Sequence, residues 1–284
     1  MKFFRIIESL LKKINRLKNN TKNKKLKRAF LSAEYNTLIN RELIFSNDKI
    51  SYVLKNNEEI SKRTFINGIT DYEVLKKGLK FLKRKKNKHF INIGAHVGTT
   101  LIPAIKNNLF SNYIAFEPSS ESFRLLIANI NLNKIEKKGT SFNMALSKKV
   151  SKGYLKIDNL NTGDYRLVGK RKKTEIVQLN KLDNFTNKVN NKNSLIYIDA
   201  QGHEPEIFLG GKKTLKKKIP IIFELMPSII TTKNPKALFN LIKHYKYLTD
   251  LRGDVVLKMN FNNFLNIYDK YAKSKESYTD LMIF

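Results

Sequence analysis

The sequence predicts an α/β protein with a mostly parallel sheet, and three observations carry that prediction. After residue 88, short apolar runs alternate with stretches of helical period, the pattern of βαβ units. The first run passes into a glycine turn, Gly94-Ala95-His96-Val97-Gly98. The second ends on an acid, Glu117, 19 residues after Gly98.

In chain order, residues 3–17 place Phe3, Ile7, Leu10, Ile14 and Leu17 on one side of a basic amphipathic helix. Asn19–Arg28 follows as a basic linker. From Leu43 to Phe65, loose alternation through Ile44, Ile50, Tyr52, Leu54 and Ile60 suggests short strands, and Asp71–Leu82 has a helical face of Val74, Leu75, Leu79 and Leu82. The strand runs are His89–Ile93, Tyr113–Phe116, Thr140–Leu146, Leu195–Ile198 and Ile219–Leu225. Helices are expected over Ser122–Asn131, over Glu204–Lys218 with acids first and lysines last, and after the Asn234–Pro235 cap. Hairpin strands are expected between Gly153 and Val177, over the sheet edge, and a terminal strand over Tyr278–Phe284.

Composition narrows the function. The chain has 284 residues, 41% hydrophobic and 11% aromatic, too apolar for a disordered protein. It has no Cys, which excludes disulfides, thiolate metal sites and a thiol nucleophile. No run approaches the ~18 apolar residues of a membrane span, and Glu8, Lys12 and Lys13 interrupt any secretory leader. A cytoplasmic location is expected. The 55 basic and 24 acidic residues give a net charge of +31, so an anionic partner is open: nucleic acid, less favoured, or a membrane surface touched by residues 1–28.

The chemistry is expected where strands end. A glycine turn lets a ligand approach backbone with no Cβ in the way. Glu117 sits where a carboxylate reaches both ribose hydroxyls. The G-x-G-x-x-G of nicotinamide enzymes is missing, because its middle glycine is His96. An adenosyl ligand without a pyrophosphate is indicated, which points to S-adenosylmethionine. Tyr197-Ile198-Asp199-Ala200-Gln201-Gly202-His203-Glu204 closes the fourth core strand. His203 at a helix N-terminus stays neutral and is the candidate general base, oriented by Asp199 or Glu204. Glu224, after three apolar residues, is a candidate for binding a substrate hydroxyl, and no metal is expected.

Together these motifs resemble the FkbM family of S-adenosylmethionine-dependent methyltransferases. The likeness runs through Phe90–Thr100, IAFEPSSESFRLLIANINLN (114–133), NMALS (143–147), NTGDYRL (161–167), Val177–Asp183, LIYIDAQGHEPEIFLGG (195–211) and Pro220–Glu224. The resemblance implies a Rossmann-like, seven-stranded methyltransferase sheet, mostly parallel with an antiparallel C-terminal strand. It implies methylation of a hydroxyl on a small-molecule or glycan acceptor. Gly94, Ala95 and Gly98 would take the methionine end of the cofactor, Glu117 its ribose, and Asn143 and Ala145 the adenine side. Asn92 stands where the family most often has Asp, and an amide lacks the carboxylate's attraction for the cofactor ammonium. The expected organisation is a basic helix and linker (1–40), covering elements (41–88) and the methyltransferase domain (89–284).

Overall fold

The computed structural model describes residues 24–36, 42–46, 49–55, 59–67, 71–82, 87–156, 165–170, 174–187, 189, 193–253, 255–273 and 278–284. The amphipathic helix expected at 3–17 and the turn signals at Asn161, Gly163 and Asp164 lie outside the described residues.

The described chain begins with α1 (Lys24–Asn36), so the last part of the expected linker is helical. Next come a hairpin, β1 (Glu42–Ser46) and β2 (Ser51–Lys55), then α2 (Glu59–Asn67) and α3 (Asp71–Leu82). The expected strand pattern therefore holds to Lys55 and fails beyond it, where Ile60 is helical. The strand–helix alternation then runs β3 (Asn87–Ile93), α4 (Leu101–Lys106), β4 (Phe110–Phe116), α5 (Ser120–Leu132) and β5 (Gly139–Phe142). Ser119 caps α5 by accepting from the Ser122 N–H.

The Thr140–Leu146 run splits. Its first half is β5; its second, β6 (Ala145–Leu146), leaves the main sheet and joins β7 (Ser151–Lys156), β8 (Leu167–Val168) and β9 (Thr174–Asn180) in a second sheet of order β6-β9-β7-β8. The chain returns through β10 (Ser194–Ile198), buried at every position, into α6 (Glu204–Gly210) and α7 (Lys212–Lys216). The single helix expected over Glu204–Lys218 breaks at Gly211. Gly210 packs so closely on the Ser147 backbone that a Cβ would lie 2.0 Å from its carbonyl oxygen. Then follow β11 (Ile221–Leu225), α8 (Pro235–Ile242), β12 (Tyr247–Asp250), β13 (Val256–Lys258), α9 (Phe261–Lys273) and β14 (Thr279–Ile283). Asn234 caps α8 through the N–H groups of Lys236 and Ala237.

The main sheet has eight strands in the order β13-β12-β14-β11-β10-β3-β4-β5, with β14 antiparallel to both neighbours. The seven expected strands thus gain β13, a short edge strand antiparallel to β12. Because side chains alternate across a strand, β3 sends Ile91 and Ile93 to one face and Phe90 and Asn92 to the other. The first face is packed with Ile198, Phe208, Leu238 and Phe264, the second with Leu75, Ile102, Leu126 and Met282. The hairpin joins the second core: Tyr52 and Leu54 are fully buried, and Asn129 of α5 bonds the backbone of Val53. No described helix is long and apolar enough to cross a membrane.

Candidate active site

Parallel strands in register bring their carboxyl ends to one edge, and there β3, β4 and β10 build a cleft. Gly94 leaves β3 with φ +76, its N–H and that of Ala95 both bonding the Phe116 carbonyl at the end of β4. A Cβ on Gly94 would lie 1.8 Å from the Asp199 carbonyl oxygen, so the turn is closed to any larger residue. Gly98, at φ +92, faces Ile102 and Leu126 and opens the way into α4. Between them His96 is left-handed, φ +48, and its N–H donates to Glu117 Oε2 at 2.8 Å. Glu117 Oε1 accepts from the Ser119 N–H at 2.9 Å. The acid of the second strand therefore fastens the glycine turn of the first.

Glu117 is only 5% exposed. Burial, with repulsion from Asp199 and Glu175, pushes its carboxyl up to about 7 against the pull of its two backbone hydrogen bonds. The cleft it lines encloses about 660 Å³ counted out into its open mouth. Gly94, Glu117, Ala145, Asp199 and His203 all line it. So do His96, Gln201 and an apolar wall of Ile60, Met144, Leu146, Leu155, Tyr165, Leu167 and Ile207.

His203 is the N-cap residue of α6. Its Nε2 lies 3.0 Å from the Ser147 hydroxyl. Burial first, then Lys148, lowers its pKa to about 4, with Glu206 opposing, so the imidazole is neutral near pH 7. Asp199 Oδ1 accepts from Gln201 Nε2 at 2.8 Å, and the same amide reaches Glu224 Oε2 at 3.1 Å. Gln201 adopts φ +51 to make this bridge.

Six expected site residues do not line the cleft. Glu204 is fully buried and turns back on its own loop, Oε1 accepting from the N–H groups of Ala200 and Gly202. Asn143, exposed at the corner between β5 and β6, donates from Nδ2 to the carbonyls of Glu117 and Pro118. Glu224 sits behind Gln201. Ala95 is buried, its N–H spent on Phe116. Asn92 is 1% exposed on the face it shares with Ala115 and Tyr197, and its Oδ1 has no partner among the described residues. Gly98 also lies outside the lining and acts through the turn.

Sequence reasoning missed Gln201 and Ser147 as site residues, although both stand inside motifs it singled out. Leu155 of β7 and Leu167 of β8 lie in the hairpin strands expected between Gly153 and Val177, but nothing in the sequence marked them as cleft wall.

Comparison with known proteins adds a family. The model described as Methyltransferase FkbM domain matches residues 92–249. Among solved structures, the chain is similar to methyltransferase FkbM from Methylobacillus flagellatus KT, at 9% identity and TM-score 0.46 over 78% of this chain. It spans only 52% of that protein. M. jannaschii TYW2 in complex with AdoMet is similar at 11% identity and TM-score 0.42, over 86% of this chain and 84% of that one. Precorrin-6y C5,15-methyltransferase from Geobacter metallireducens is similar at 12% identity and TM-score 0.39, over 75% and 87%. No curated protein matches. The matched span begins at Asn92, beside the glycine turn, and takes in Glu117, Asp199 and His203 before ending in β12, and over that span the chain belongs to the FkbM methyltransferase family.

Proposed function

We propose that the cleft binds S-adenosylmethionine and that its methyl group is passed to a hydroxyl of a sugar, glycan or secondary metabolite. The observation that carries this reading is the meeting of Gly94, Glu117 and His203 in the wall of one cleft. The residues suit the cofactor. Gly94 sets turn backbone in the cleft wall against the Asp199 carbonyl, Glu117 keeps lone pairs for ribose hydroxyls, and Asp199 gives the wall negative charge toward a cation.

When bound, the cofactor supplies an electrophilic methyl on a positively charged sulfur. Holding the acceptor oxygen in line with that methyl is the cleft's main contribution, since oriented pairs gain ~7–11 kcal/mol of barrier. His203 takes the hydroxyl proton. In the tautomer that donates Nε2–H to the Ser147 hydroxyl, Nδ1 is the nitrogen that receives it. Asp199, fixed by Gln201, holds negative charge beside the site, and Glu224 acts through the same amide. Glu204 keeps the 199–203 turn in shape and Asn143 ties the β5–β6 corner to Pro118, so both serve as supports.

Titration calorimetry with S-adenosylmethionine, followed by transfer of labelled methyl to glycan precursors and to RNA, tests the reading. Glu117→Ala is expected to weaken cofactor binding by about tenfold or more. His203→Ala should bind as the native chain does and transfer methyl about 10²–10⁴ times more slowly. Failure of the native protein to bind the cofactor overturns the proposal. Label in RNA alone overturns the acceptor class, and unchanged turnover in His203→Ala removes the base.

A further inference from the structure

The strand-entry end of the main sheet is rich in exposed lysine. At the end where the parallel strands enter, exposed lysines stand in a row: Lys88 in β3, Lys106 before β4, Lys138 before β5, Lys216 before β11 and Lys246 before β12. Lys258 closes antiparallel β13 at that same end, opposite Tyr247. Glu136 is the only acidic residue described in these approaches. At the other end the strands leave toward Glu117, Asp199, Glu224 and Asp250, with Lys233 and Arg252 as the basic residues in the described loops that follow β11 and β12. Beside Lys88 in β3, the His89 imidazolium is disfavoured by burial first and by that one lysine second.

Neighbouring strands lie about 4.8 Å apart, so the row from β5 to β13 runs for about 34 Å. We propose that this strand-entry face docks on an anionic phospholipid bilayer, holding the chain with its cleft turned away from the membrane. The described approaches contain no Arg and no exposed Phe or Tyr. They therefore lack the guanidinium forks and stacking rings with which proteins grip nucleic acid. Rows of lysine ammonium groups suit the diffuse charge of a lipid headgroup surface. A polyanion on this face lies roughly 20 Å, a strand's length, from the cleft, so it is a docking surface and not the methyl acceptor. The inference stands on the charge layout and does not require the cofactor assignment.

The test uses the full chain and sedimentation with vesicles of phosphatidylcholine alone or mixed about 7:3 with phosphatidylglycerol. Two triple variants carry the same charge change: K138E/K216E/K246E on the entry face and K152E/K156E/K170E on and beside the second sheet, each checked for fold by circular dichroism. The native chain should bind the anionic vesicles and leave the neutral ones. The entry-face variant should lose more than about tenfold in partitioning, and the second-sheet variant less than about twofold. Residues 1–23 are common to all three proteins, so the difference reads the face itself. No binding by the native chain, equal losses in both variants, or an unaffected entry-face variant would each overturn the proposal. So would a structured RNA that binds more tightly than the vesicles and loses its affinity in the entry-face variant.

Discussion

Glu204 is a carboxyl group with no water to stabilise its charge. Burial raises its pKa to about 7, Asp199 adds repulsion, and its Oε2 has no partner among the described residues. In the unfolded chain the same group ionises near its ordinary 4.5. Between those values the native state holds a proton that the unfolded state has lost, so stability is full below pH 4.5 and drains away as pH rises through 7. Each raised unit is worth about 1.4 kcal/mol, so Glu204 contributes a loss of roughly 3 kcal/mol. Urea unfolding at pH 5 and pH 8 should show a smaller stability drop in Glu204→Gln than in the native chain. An identical drop would mean that the buried carboxyl is not the source. Glu117, also raised to about 7, adds to the same slope. At this scale Gly94, Glu117, Asp199 and His203 were legible in the sequence because strand ends place them. Ser147 and Gln201 were not, because their work depends on what the fold sets opposite them: an imidazole 56 residues away and a carboxylate 23 residues away.

The β1–β2 hairpin is held by side-chain amides of a helix. Asn129 accepts from the Val53 N–H at 2.6 Å and donates to the carbonyls of Val53 and Val97. It thus links the hairpin to the turn that precedes α4. Asn133 repeats the device one helical turn on, bonding the N–H and carbonyl of Ser51. Asn129→Ala removes the side-chain partner of three backbone groups, one buried and two half-buried, and should cost about 2–4 kcal/mol. Hydrogen exchange should quicken first at Val53. Uniform quickening across the main sheet would instead mark a global loss. The periodicity of Asp71–Leu82 gave its helix in full, and that of Ser122–Asn131 gave the next to within two residues. The helix at Glu59–Asn67 and the break at Gly211 were hidden. Glu59–Asn67 is only nine residues long, and Gly211 follows a glycine whose backbone contact is set by a distant strand.

For the molecule as a whole, a net charge of +31 means that lysines repel one another in the compact state more than in the expanded one. Added salt shortens the range of that repulsion. The melting temperature should climb by a few degrees between about 20 mM and about 300 mM NaCl; a fall would show that ion pairs such as Lys148–Glu206 outweigh it. The α/β class and the runs that became β3, β4, β10 and β11 followed from alternation, whereas β12, β13 and α9 had no sequence signal strong enough to place them. Their position has a consequence for biosynthesis. Strand β14 is the last of the eight to leave the ribosome, yet it lies between β11 and β12. Until it emerges, a nascent chain has a gap in the middle of its sheet, with β12 and β13 waiting for a neighbour. Messages cut short before codon 279 would therefore yield a protein that exposes two strand edges and invites chaperone capture, whatever the state of its cleft.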